Sequence, residues 1–191
     1  MEKEKLIIVN GAQGSGKTTV TDYIRNKLNY TNLYRLSGTS DPSIQGKNKT
    51  IKMYENLLLY LKNMEGLSIN LLFDQIFITE EVYDRLGKKE YSFTKEYNYF
   101  MDKLSNLNYD IYIITLYLSK EDDYIKRLDR PGKHDVKYSL YNKENSILQQ
   151  KVYLEIANEI KEKYNNINII NIDNSNEEKI VKKEIDEILN L

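Results

Sequence analysis

The chain has 191 residues, 40% of them hydrophobic and 30% charged, a balance that predicts one globular domain spanning residues 1–191 and argues against disorder. With 28 Lys and Arg against 29 Asp and Glu, the net charge of -1 argues against a protein drawn to nucleic acid by overall charge. There is no cysteine, which removes disulfides, thiolate metal sites and a thiol nucleophile from consideration.

The charged start Met1-Glu2-Lys3-Glu4-Lys5 runs into an apolar stretch too short for a signal peptide, and no later run approaches a membrane span, so a cytoplasmic protein without a membrane partner is expected. Leu6 to Val9 reads as a buried strand. The residues Gly11-Ala12-Gln13-Gly14-Ser15-Gly16-Lys17-Thr18 follow it and fit G-x-x-x-x-G-K-[ST] without a mismatch. A helix is predicted from Thr18 to Leu28, a strand from Leu33 to Leu36, and a loop from Ser37 to Pro42. Ile51, Tyr54, Leu57, Leu58 and Leu61 share one face of a helix from Thr50 to Met64. Ile69 to Phe73 is a third strand that delivers Asp74 at its C-terminal end. Helices are predicted over Ile76–Leu86 and Thr94–Leu107, then a strand over Ile111–Leu118 and a helix over Lys120–Leu128. The cation-rich segment Arg127 to His134 is broken by Pro131-Gly132. A long helix over Ile147–Tyr164, a strand over Ile167–Ile172 and an amphipathic helix over Glu177–Leu189 close the chain. Strands alternating with helices imply an α/β fold, a mainly parallel sheet covered on both faces, with ligands beyond the C-terminal strand ends.

The glycine-rich stretch carries the chemistry. Its glycines let successive backbone N–H groups point into one concavity, and the helix behind it adds a positive N-terminal end, so a polyphosphate fits there. Gly11, Ala12, Gln13, Gly14, Ser15, Gly16, Lys17, Thr18 and Thr19 are the expected ATP-binding residues. Lys17 would reach the β and γ phosphates, and the Thr18 hydroxyl would ligate Mg²⁺. Asp74 could hold the metal's water shell or accept a proton from an acceptor hydroxyl; as a bland alternative it could cap the next helix. Arg127 and Arg130, three apart, could close over the transferring phosphoryl, with Pro131-Gly132 as hinge, or simply end a charged helix. A guanine-reading Asn-Lys-x-Asp after a strand is missing, which counts against a GTPase.

These residues, in this order, resemble the thymidylate kinase and deoxynucleoside kinase superfamily: the loop Gly11 to Thr18, Arg35 ending the second strand, Asp74 ending the third, Glu80-Glu81-Val82-Tyr83 in the next helix, and Arg127 to His134 after the fourth strand. The resemblance implies a P-loop three-layer sandwich with five parallel strands in the order 2-3-1-4-5 and a short lid at about residues 127–142. It also implies ATP as phosphoryl donor, Mg²⁺ held by Thr18 and Asp74, catalysis by Lys17, Asp74, Arg127 and Arg130, and adenine held near Asn174. The acceptor would lie against Arg35, Gln75, Glu80, Tyr83 and Arg85; the family also allows a homodimer.

One departure bears on the substrate. Family thymidylate kinases place Arg after the aspartate, where it grips the acceptor's phosphate; here the residue is Gln75, which cannot neutralise a dianion. Either Arg35 or Arg85 takes that role, or the acceptor is an uncharged hydroxyl. The expected activity is γ-phosphoryl transfer from ATP to a nucleoside monophosphate, a pyrimidine deoxynucleotide first. The alternative acceptor is a hydroxyl on a deoxynucleoside or on a modified base in DNA. A regulatory nucleotide-binding module is the remaining reading.

Overall fold

The computed structural model describes residues 3–36, 41–129 and 142–191. Its strands are β1 (Lys5–Gly11), β2 (Thr31–Arg35), β3 (Asn70–Asp74), β4 (Asp110–Tyr117) and β5 (Ile167–Asp173). Its helices are α1 (Lys17–Lys27), α2 (Ile44–Asn63), α3 (Ile78–Arg85), α4 (Thr94–Ser105), α5 (Asp123–Leu128), α6 (Lys143–Lys163) and α7 (Glu178–Leu189). Every strand pair is parallel and the order is β2-β3-β1-β4-β5, as the resemblance implies.

β1 lies at the centre because Leu6-Ile7-Ile8-Val9 is apolar on both faces, which only a strand covered on both sides can bury. Leu6 and Ile8 enter one core layer, with Phe73 of β3, Tyr54 of α2, Phe77 ahead of α3, Phe100 of α4 and Ile156 of α6. Ile7 and Val9 enter the other, with Val20 and Ile24 of α1 and Val181 and Ile185 of α7. The twofold alternation of the strand thus sorts one run of residues into two layers. Phe77 and Phe100, ring centroids 5.3 Å apart, anchor the larger layer. Truncating such a buried ring costs about 3–5 kcal/mol.

The helix starts depart from the periodicity. α2 begins at Ile44 rather than Thr50, because Ser43 caps it, its side chain accepting from the Gly46 N–H at 3.3 Å. The added residues, Ile44 to Lys49, are mostly exposed and include Gly46, where a Cβ would lie 2.1 Å from the Asp41 carbonyl oxygen. α6 likewise begins at Lys143 rather than Ile147, Asn142 accepting from the Asn145 N–H at 2.9 Å. α3 and α5 start later than periodicity suggests, at Ile78 and Asp123. No helix among the described residues is long and apolar enough to cross a membrane.

Candidate phosphate-transfer site

β1 ends at Gly11, and the loop turns into α1 at Lys17, so the N-terminal end of an 11-residue helix faces the concavity of the loop. Gly16 has φ +97, and a Cβ there would lie 2.2 Å from Asn174 Nδ2 and 3.1 Å from Arg127 Nη1, so the turn is both left-handed and crowded. Lys17 Nζ donates to the Gly11 and Ala12 carbonyls, each at 2.9 Å, which keeps the ammonium at the rim of its own loop.

Sheet order places the next groups. The register pairs Val9 with Asp74 across β1 and β3, and Asp74 with Arg35 across β3 and β2. Three residues distant in sequence therefore end in line beside the loop. Thr18 Oγ1 donates to Asp74 Oδ2 at 3.3 Å, and Arg35 Nε lies 3.8 Å from the same oxygen. The Arg35 guanidinium also pairs with Asp22 on α1. Asp74 is 8% exposed and does not cap a helix, since α3 begins only at Ile78. A hydroxyl and a carboxylate converging at the end of the loop are hard oxygen donors, and they fit a Mg²⁺ ion that keeps several waters and takes its other ligands from phosphates.

Gln75 adopts φ +70, an uncommon conformation for a residue with a Cβ and one that costs about 1–3 kcal/mol. It is held on two sides: its N–H donates to the Val9 carbonyl at 3.1 Å, and its Nε2 donates to the Tyr153 hydroxyl at 3.4 Å. Tyr153 is 3% exposed on α6 and also meets Thr79 Oγ1 at 2.9 Å; burial pushes its pKa well up.

On the opposite side of the loop, Arg127 Nη1 donates to the Ser15 carbonyl at 3.1 Å and Nη2 to the Asn174 carbonyl at 2.5 Å, while Asn174 Nδ2 donates to Ser15 at 2.7 Å. Arg127 and Asn174 thus clasp the loop and join it to the turn after β5. Beside them is a cavity of about 260 Å³ lined by Gly16, Thr19, Tyr23, Asn174 and Val181 among others. In the same turn Ser175 Oγ accepts from the Lys120 N–H at 3.1 Å. Arg130, Pro131, Gly132, Lys133 and His134, and with them most of the expected lid, lie outside the described residues.

The helix after Asp74 carries Glu80, which the resemblance would set against the acceptor, and Glu81 beside it. Both are buried. Glu80 pairs with Lys89 at 2.8 Å; burial opposes the Lys89 charge, yet the carboxylate holds its pKa above the ordinary value. Glu81 takes Arg85 Nε at 2.8 Å, and the same guanidinium grips Glu159 of α6 at 2.6 and 2.8 Å. Arg85 is therefore turned to α6 rather than to Asp74. Tyr83 is half-buried on α3, and Tyr97 and Phe100 belong to the core. The contacts of Lys89, Gln149 and Tyr153 with Glu80, Gln13 and Gln75 were not legible in the sequence: Lys89 lies in a polar loop, and the other two sit within a helix whose pattern signals only packing.

No protein-family profile matches the sequence, and no curated protein sequence matches it either. Solved structures do. A thymidylate kinase from Candida albicans superimposes with a TM-score of 0.67 over 98% of this chain and 92% of its own, at 16% identity. The YorR protein of Bacillus subtilis, solved with phosphorylated GDP, gives 0.65 over 97% and 96%, at 16% identity. Deoxyadenosine kinase from M. mycoides, solved with bound dATP, gives 0.59 over 97% and 99%, at 20% identity. The chain has the fold of the P-loop nucleoside and nucleotide kinases. At these identities the likeness concerns the path of the backbone, and it spans nearly the full length of each partner. The P-loop kinase fold accounts for the sheet order and for the phosphate loop at the end of the central strand.

Proposed function

We propose that the protein is an ATP- and Mg²⁺-dependent phosphotransferase that carries the γ-phosphoryl group to a nucleoside monophosphate, a pyrimidine deoxynucleoside monophosphate being the first acceptor to test. The observation that carries this reading is the convergence of Thr18 and Asp74, 3.3 Å apart, beside a complete phosphate loop. In the reaction Lys17 exchanges its two carbonyl partners for phosphate oxygens. The loop N–H groups and the end of α1 hold the donor, and Arg127 stays at the loop where charge accumulates. Mg²⁺, when bound through Thr18 and Asp74, supplies charge neutralisation on the triphosphate.

A specific observation favours a second reading, in which the acceptor is an uncharged hydroxyl. The two arginines able to replace the one missing at Gln75 are each already opposed by two carboxylates, Arg35 by Asp22 and Asp74, Arg85 by Glu81 and Glu159. An incoming phosphate dianion would have to compete with those carboxylates, whereas a hydroxyl would find Asp74 as base. An ATP-consumption screen with Mg²⁺ against deoxynucleosides, their monophosphates and DNA oligomers with hydroxymethylated bases separates the readings, with Lys17→Ala as the blank. Turnover on monophosphates supports the first and turnover on hydroxyls alone the second. Tight ATP binding without turnover on any acceptor sinks both.

A further inference from the structure

α6 contacts three parts of the site through neighbouring residues. Gln149 Oε1 accepts the Gln13 N–H of the phosphate loop at 3.2 Å. Gln150 Oε1 accepts the Leu118 N–H at 2.7 Å and the Tyr124 hydroxyl at 2.7 Å, tying α6 to the end of β4 and to α5, the helix that carries Arg127. Tyr153 reaches Gln75 and Thr79 on the far side of Asp74. Gln149 and Tyr153 are four residues apart, hence on one face of a helix, and both are buried, at 4% and 3% exposure. None of these contacts is needed to bury apolar area, since Val152, Ile156 and Ile160 already seat the helix.

The contacts at the loop are also incompletely satisfied. The Gln13 Oε1, Ser15 Oγ and Asn10 Oδ1 atoms of β1 and the loop, and Ser146 Oγ one turn before Gln149, are buried with no protein hydrogen-bond partner among the described residues. A backbone N–H held by a side chain rather than by phosphate is a contact that can be exchanged when phosphate arrives.

We infer that Tyr153 and Gln149 are positioning residues, and that α6 is the rigid element through which occupancy of the phosphate loop sets the conformation of Gln75 beside the acceptor. Binding at the loop changes the partner of the Gln13 N–H, the helix takes up the change at Gln149, and Tyr153 delivers it to Gln75 and Thr79 one turn later. The strained Gln75 is the receiving end, because a left-handed residue holds its conformation only while its surroundings impose it. The inference rests on the proposed function in taking the loop to bind nucleotide and residue 75 to face the acceptor. A shorter route competes with it: the Gln75 N–H bonds Val9 of β1 directly, and Thr18 touches Asp74.

Amide hydrogen exchange of the full chain decides between the routes, with Mg²⁺ and a non-hydrolysable ATP analogue as the only ligand. In the wild type the analogue should slow exchange over residues 11–18 and also over 75–79, the latter by about 5-fold or more, the low end of ordinary coupling. Tyr153→Phe keeps the ring and removes the hydroxyl; it should preserve the protection of 11–18 and abolish that of 75–79. Gln149→Leu, which cannot accept the Gln13 N–H, should do the same with a different lesion. In turnover both variants should lower kcat with KM for ATP little changed, whereas a merely structural role would lower the melting temperature and leave the exchange pattern intact. Protection of 75–79 retained in both variants, or absent in a wild type whose loop is protected, overturns the inference. A wild type unprotected at 11–18 overturns the nucleotide-binding reading first, and the inference with it.

Discussion

Thr18 and Asp74, 56 positions apart in the chain, meet at 3.3 Å between Oγ1 and Oδ2 because β3 lies next to β1 in the sheet. Asp74→Asn preserves shape and removes charge. It should cut kcat by about 10²–10⁴-fold, the range for loss of an acid–base or metal-orienting group, while the protein still binds nucleotide. Steady-state rates over a Mg²⁺ titration check this; kcat within threefold of wild type would remove Asp74 from the chemistry.

Gln75→Arg tests the charge of the acceptor. The residue is left-handed with either side chain, so the substitution adds a cation beside Asp74 without adding backbone strain. Turnover of monophosphates should rise relative to nucleosides by about 10-fold or more, the worth of one charge-assisted hydrogen bond. An unchanged ratio of kcat/KM values would place the acceptor's phosphate elsewhere.

Gly16→Ala should abolish tight nucleotide binding. The methyl group would sit 2.2 Å from Asn174 Nδ2 at φ +97, so the clasp between the loop and the turn after β5 must open. Strain of about 1–3 kcal/mol predicts affinity weaker by roughly 5- to 150-fold, measurable by calorimetry. Asn174→Ala in the same background should restore part of it, because the crowding atom is then gone.

The pair of Arg85 and Glu159 makes stability depend on acid. Its hydrogen bond to Arg85 holds the Glu159 carboxyl below its ordinary 4.5, against the opposing effect of burial. A depressed folded value means that the contribution is complete above about pH 4.5 and is lost as pH falls through the lower folded value. Melting curves of Glu159→Gln should therefore lie below the wild type at pH 6 and converge with it toward pH 3. The effect is modest, since the Glu159 side chain is 52% exposed.

Ser43→Ala should cost about 1 kcal/mol by leaving the Gly46 N–H without its cap, and denaturant titration would read it. If no loss is seen, the first turn of α2 is held by its packing on Asp41 instead.

Sequence periodicity located the strands and helices well, for a reason visible in β1: alternation of Leu6 and Ile8 with Ile7 and Val9 records which layer each residue enters. It failed at the start of α2, where six residues, Ile44 to Lys49, join the helix through a cap and a close approach to Asp41 that leave no periodic trace. The phosphate loop was legible because its backbone requirement dictates residue types at fixed spacing. The partners of Arg35, Arg85 and Glu80 were not, because each is chosen by residues that only the fold brings near.

By itself the sequence determined the phosphate loop, the alternation of strands and helices, and the aspartate ending the third strand, all consequences of local backbone geometry and of which side chains must leave water. The tertiary structure alone decided that Arg85 turns to Glu159, that Glu80 is buried against Lys89, that Arg127 clasps the loop and that Tyr153 holds Gln75. Those pairings depend on helix placement across the sheet. Burial makes an unpartnered charge or hydroxyl costly, so packed neighbours, whatever their distance along the chain, settle where each polar group points.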